Sequence, residues 1–151
     1  MEQQLVIFEL ANEFYGVDIS GVEAIIRLQS ITRMPSAPHF VEGVINLRGA
    51  VLPVIDLRRR FSLPASERDA HTRIVVVDVS GSKVGMIVDG VSEVLRVQMD
   101  TIEPPSPMVI TVDSAFITGI AKMEGRLVIL IDLSRVLSVD EKADLAQVGK
   151  E

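Results

Sequence analysis

The chain aligns with itself, and an internal repeat constrains architecture more than any single motif because both copies must adopt one local fold. Residues 5–28 (LVIFELANEFYGVDISGVEAIIRL) match residues 74–97 (IVVVDVSGSKVGMIVDGVSEVLRV) without a gap, at a shift of 69. Val6, Gly16, Gly21, Val22 and Arg27 recur as Val75, Gly85, Gly90, Val91 and Arg96. Residues 43–61 match residues 119–137 at a shift of 76, and Gly43, Gly49, Ile55, Asp56, Leu57 and Arg59 recur. The connecting segments 29–42 and 98–118 absorb the difference, having 14 and 21 residues. Both carry prolines, Pro35 and Pro38 in the first and Pro104, Pro105 and Pro107 in the second, as insertion-tolerant loops do.

Each half reads as strand (5–10), turn, strand (14–19), a short apolar segment (21–28), a proline loop, then strand, glycine turn, strand and a short helix. Leu47-Arg48-Gly49-Ala50 and Met123-Glu124-Gly125-Arg126 have the look of hairpin connections. The core must be built from Val, Ile and Leu, since the chain has five Phe, one Tyr and no Trp, and the β-branched members favour strands. Closely spaced strands with runs such as Ile74-Val75-Val76-Val77 and Leu127-Val128-Ile129-Leu130 predict a mainly β fold of two small closed barrels. The 151 residues form one domain whose repeat halves, about 5–61 and 74–137, build two β lobes. A half of about 65 residues supplies only ~3–5 kcal/mol from its own core, so the lobes must pack together or exchange strands, and their junction forms a groove.

Function classes fall away on composition and spacing. Without cysteine there is no disulfide, thiolate nucleophile or thiolate metal site. The start, Met1-Glu2-Gln3-Gln4, lacks the basic region of a signal peptide, and no apolar run approaches the ~18 residues of a membrane span. A cytoplasmic protein with no direct membrane insertion is expected. A net charge of −6 repels phosphate backbones, so no nucleic-acid partner is expected. Arg58-Arg59-Arg60 reads as the solvated face of a brief helix.

His39 and His71 stand alone, without a ligand at metal-binding spacing, so no metal and no cofactor are expected. Asp56 and Asp132 each end a strand and open a helix within Ile-Asp-Leu, the signature of an N-cap. No phosphate cradle and no serine elbow is present, so no catalytic residue is assigned. An oligonucleotide- or ligand-binding barrel and a small hydrolase are the competing classes. Acidity and the scarcity of stacking aromatics oppose the first, and nothing predicts the titratable pocket of the second.

The first half carries the more distinctive segment, Met34-Pro35-Ser36-Ala37-Pro38-His39-Phe40-Val41-Glu42-Gly43-Val44-Ile45-Asn46-Leu47-Arg48-Gly49 followed by Pro53-Val54-Ile55-Asp56-Leu57. This pattern resembles the CheW family of chemotaxis coupling proteins. The resemblance extends over Tyr15–Ile19, Val84–Val91 and Leu127–Leu137. It implies two intertwined five-stranded barrels of SH3/OB type, no catalysis, and an adaptor linking the cytoplasmic tips of chemoreceptors (methyl-accepting chemotaxis proteins) to the regulatory domain of the histidine kinase CheA. A chain opening at Met1 with no kinase or receiver segment is expected to be the free-standing form.

The family's receptor-facing positions fall on Val22, Ile25, Gly43 and Ile74, and its kinase-coupling position on Arg48. Val22, Ile25 and Ile45 are equally readable as core from periodicity. One position departs from the family pattern. Where many members have a Glu two residues after the valine, able to pair with the Arg of Asn-Leu-Arg-Gly, this chain has Ala24. Arg48 is left with Glu23, Glu42 or solvent.

Overall fold

Twin sheets account for nearly all the regular structure. The computed structural model describes residues 2–35, 37–79, 81–104, 116–123 and 125–136. Pro105, Pro107 and the end of the tail at Leu137 fall outside the described residues. In chain order the first half gives β1 (Glu2–Leu10), β2 (Glu13–Asp18), β3 (Val22–Arg27), β4 (Val41–Leu47), β5 (Ala50–Asp56) and a single helical turn, α1 (Leu57–Arg60). The second half gives β6 (Arg73–Val79), β7 (Ser82–Val88), β8 (Gly90–Gln98), β9 (Ile102–Glu103), β10 (Ile117–Met123) and β11 (Arg126–Ile131), closed by a 3-10 turn at Leu133–Arg135.

The strand orders are β8-β1-β2-β11-β10-β9 and β3-β6-β7-β5-β4. With strands counted by their place in the repeat and the two-residue β9 set aside as an addition to one edge, both sheets run third, first, second, fifth, fourth. In each, the first and second come from one half and the others from its counterpart. Strand exchange is therefore the arrangement adopted, and neither half builds a lobe alone. Two seams repeat: the antiparallel pairs β1/β8 and β3/β6, and the parallel pairs β2/β11 and β5/β7.

The unbroken apolar runs follow from this exchange. Leu5 and Ile7 of β1 enter a cluster to which every strand of the six-stranded sheet contributes, among them Phe14, Val97, Ile102, Ala121 and Leu130. Ile74 and Val76 of β6 enter the matching cluster of the other lobe, with Ala24, Ile26, Ile45, Val54 and Ile87. The intervening residues Val6, Phe8, Val75 and Val77 point the other way, into a third cluster between the lobes. Strands buried on both faces lose the alternation of a half-exposed sheet.

The hairpin loops are two residues long where described in full. Ala11 and Asn12 have φ of 52° and 67°, and Arg48 and Gly49 have φ of 54° and 86°. Paired positive φ values define the primed turns that match strand twist. Asp56 accepts from the Arg58 N–H at 2.9 Å, and Asp132 from the Ser134 N–H at 2.9 Å, so both act as N-caps.

The segment read as a short apolar stretch at 21–28 is a 3-10 turn (Ile19–Gly21) leading into β3, whose side chains alternate between half-buried and exposed. The arginine run is more than the solvated face of a brief helix: Arg59 is exposed, but Arg58 is held against the fold. Arg58 grips Asp89 with two hydrogen bonds, of 2.9 and 2.5 Å, and Arg59 lies 3.3 Å from Glu42.

Candidate functional site

β3 is an edge strand, paired only with β6 within its sheet. Its side chains divide by alternation. Ala24 and Ile26 turn inward to the lobe's own cluster, while Glu23, Ile25 and Arg27 face outward. Ile25 is 41% exposed, an unusual placement for isoleucine on a folded strand. Val22 is half-buried and packs on the cluster between the lobes. The apolar edge therefore starts at the lobe junction. Its far end meets the β4/β5 hairpin, because Gln29 donates to the Asn46 carbonyl at 3.2 Å.

Arg48 sits at the tip of that hairpin, exposed and in the left-handed region, where an L side chain costs ~1–2 kcal/mol relative to its ordinary conformation. Asn46 steadies the turn by accepting from the Gly49 N–H at 2.9 Å. Arg48 has no ion-pair partner among the described residues. Of the two carboxylates offered to it in the sequence, Glu23 is 3.3 Å from Lys83, and Glu42 is surrounded by three other arginines. Ala24 turns inward and offers no charge.

Two of the five family-matched positions are supports rather than surface. Ile74 is wholly buried beneath β3, opposite Ile26, so its expected contact with a partner is corrected to a packing role. Gly43 is buried as well: a Cβ there would lie 2.2 Å from the Thr32 carbonyl oxygen. Thr32 and Val44 form a bridge at this crossing, exchanging hydrogen bonds of 2.9 Å. The space over Gly43 is filled by the chain's own backbone. The repeat explains why, because Gly119 lies in the same relation to β9, where a Cβ would meet Ile102 Cγ2 at 2.7 Å and Glu103 O at 3.2 Å.

Sequence reasoning missed the exposed apolar residues Val51, Val94 and Leu127, which are 53%, 49% and 55% exposed. The signal was present in the repeat. Val94 lies 69 residues after Ile25, and Leu127 lies 76 after Val51. Each lobe thus presents an outward apolar residue on its third strand and another at the start of its fifth. In the six-stranded lobe this surface also carries the Arg126–Glu93 ion pair, with Arg126 stacked 4.5 Å above the Phe14 ring. Glu93 is the repeat counterpart of Ala24, and its partner Arg126 that of Ala50, so this ion pair has no equivalent in the other lobe.

A cavity of about 350 Å³ opens at the lobe junction, lined in part by Gln3, Asp18, Gly21, Asp78, Thr118 and Asp132. Its acids are occupied with capping. Asp18 accepts from the Ser20 N–H at 2.8 Å, Asp78 from the Gly81 N–H at 2.7 Å, and Asp132 from Ser134. The bonds from Ser20 hold the Asp18 carboxyl below its usual range. Among the described residues, no group of three or more His, Asp or Glu is arranged to hold a metal ion. Nor is any helix among them long and apolar enough to cross a membrane.

Comparison with known proteins agrees with this geometry. The CheW-like domain matches residues 4–141. Chemotaxis protein CheW of Klebsiella aerogenes is 37% identical, covering 98% of this chain and 89% of that protein. Protein FrzA of Myxococcus xanthus is 30% identical, covering 97% and 92%. The crystal structure of the scaffolding protein TtCheW from Thermoanaerobacter tengcongensis superposes with a TM-score of 0.85 at 43% identity, covering 93% of this chain and 96% of that one.

Proposed function

Since this chain belongs to the CheW-like family of chemotaxis scaffolding proteins, a non-catalytic adaptor family, we propose that it couples the cytoplasmic tips of chemoreceptors to the histidine kinase CheA. The observation that carries the reading is the recurrence of exposed apolar residues in both lobes, Ile25 with Val51 and Val94 with Leu127. A coupling protein needs two faces that can be occupied together, and a duplicated fold supplies two related ones. Exposed apolar surface of this kind marks a protein contact.

In this reading Val22 and Ile25 along the β3 edge meet the receptor. An amphipathic helix packs its apolar stripe on such a strip, and a receptor tip built of helices supplies one. Ile74 packs inside the lobe beside Ile26 of the strip, and Gly43 makes room for the 31–32 segment where it crosses β4. Arg48 serves kinase coupling: a strained cation at a hairpin tip, without an ion-pair partner among the described residues, is suited to contact another protein. The adaptor acts in the cytoplasm, where both partners present these surfaces.

Reconstitution tests the assignment. The protein is mixed with a receptor-tip fragment and with CheA, and each binary affinity is measured by calorimetry. Ile25→Asp is expected to weaken the receptor arm selectively, and Arg48→Ala to reduce kinase activation with the fold intact. Unchanged receptor affinity in a folded Ile25→Asp protein removes β3 from the contact.

A further inference from the structure

Four arginines converge on one cavity of an otherwise acidic protein. The cavity, of about 310 Å³, is lined by Arg33, Arg58, Arg59 and Arg68 with Glu42, Asp56 and Ser66 among its other walls. Glu42 is its floor, with a side chain only 5% exposed. Arg68 spans Glu42 at 3.2 Å and Asp56 at 3.1 Å, and Arg58 is committed to Asp89. These two guanidinium groups are spent on the fold.

Arg33 and Arg59 are not. Arg33 is 79% exposed, and its one ion contact among the described residues, to Glu42, is 3.7 Å long. Arg59 is 40% exposed, and its contacts among the described residues are long, 3.3 Å to Glu42 and 3.4 Å to the His39 carbonyl. Glu42 Oε2 accepts no hydrogen bond of good geometry. Charge-assisted bonds from arginine to a carboxylate are ordinarily about 2.7–2.9 Å, and each guanidinium has five donors in a planar fork. Both side chains thus keep donors for a second acceptor at the cavity mouth.

We propose that this cavity is a docking site for an acidic side chain of a partner protein, whose carboxylate bridges Arg33 and Arg59 above Glu42. The charges select the ligand. Arg33, Arg58, Arg59 and Arg68 face Glu42, Asp56 and Asp89, leaving a single positive charge unbalanced. One carboxylate neutralises the group, whereas a phosphate dianion overshoots it. The site lies beside the Thr32–Val44 crossing, because Arg33 follows Thr32 and Glu42 precedes Gly43. The inference rests on the adaptor reading only for which partner supplies the acid.

The test uses the intact protein and a fluorescein-labelled peptide, Gly-Asp-Glu-Glu-Ala-Asp-Gly, followed by anisotropy, with an Asn/Gln peptide as the neutral counterpart. The acidic peptide is expected to bind despite the net charge of −6, and the neutral one not. Arg33→Gln, and separately Arg33→Gln with Arg59→Gln, should weaken binding by about fivefold or more. Arg96→Gln, which removes an exposed arginine elsewhere, should leave it unchanged. Inorganic phosphate should compete no better than chloride at matched ionic strength. Equal losses in all three variants, or no binding of the acidic peptide, overturns the site, and stronger competition by phosphate overturns the choice of a carboxylate. Arg33 is exposed enough that its single variant keeps the fold, which a melting curve verifies. Receptor and kinase affinities measured on the same variants separate failure of this site from failure of the adaptor reading.

Discussion

Gly43 and Arg48 show how two residues of one hairpin answer to different demands. Adding a methyl at Gly43 drives it into the Thr32 carbonyl, a backbone atom that cannot swing aside. Gly43→Ala is expected to cost about 2 kcal/mol or more in denaturant unfolding. Arg48 pays no such packing role, and its positive φ is better suited to glycine. Arg48→Gly should therefore leave stability unchanged or raise it by about 0.5–1 kcal/mol while kinase coupling falls. Loss of stability in that variant would make the arginine structural. For Glu42, burial works against ionisation, but the bond from Arg68 and the charges of Arg68, Arg59 and Arg33 outweigh it and hold the carboxyl below its usual range. A depressed folded-state pKa gives stability that is complete above the unfolded value and lost as pH falls through the folded one. Glu42→Gln should cost about 1–3 kcal/mol at neutral pH and flatten the acid side of the stability profile, which chemical unfolding across pH measures. Little of this was legible beforehand, because the run Arg58-Arg59-Arg60 says nothing of Asp89 and Glu42, carboxylates brought to it only by tertiary folding.

Strands and turns were largely readable because their causes are local: glycine at the hairpin tips, β-branched runs between them, and aspartate where a strand hands over to a helical turn. β3 was harder. Its six residues, VEAIIR, mix two propensities, and only pairing with β6 settles the strand. The exchange of strands had no local signal at all, since the parallel pairs β2/β11 and β5/β7 join strands from opposite halves of the chain. It carries a direct consequence. A fragment ending within the 62–72 segment lacks four strands of the six-stranded sheet and two of the other, and its complement lacks two and three, so neither half should show a cooperative melt by circular dichroism. Mixing the two fragments should restore one. A half that folds alone would mean that the exchange is dispensable.

At the scale of the molecule, the duplication reads as a means of giving one small protein two related outward faces around a shared central core. The fold was legible through the repeat. Of the apolar surface positions, the resemblance marked Ile25, but Val51, Val94 and Leu127 were legible only in retrospect, because such residues look like core until the barrel turns them outward. Ile74 erred in the opposite direction, since the family pattern marks the strand and not which face each side chain takes. The central claim is that the two faces work together, and co-sedimentation of CheA with vesicles bearing a receptor cytoplasmic fragment tests it most directly. With this protein present, kinase should sediment with the vesicles and its autophosphorylation should rise, and Ile25→Asp should abolish both while binding to free CheA persists. Binding to each partner separately without any increase in kinase recruitment would contradict the account.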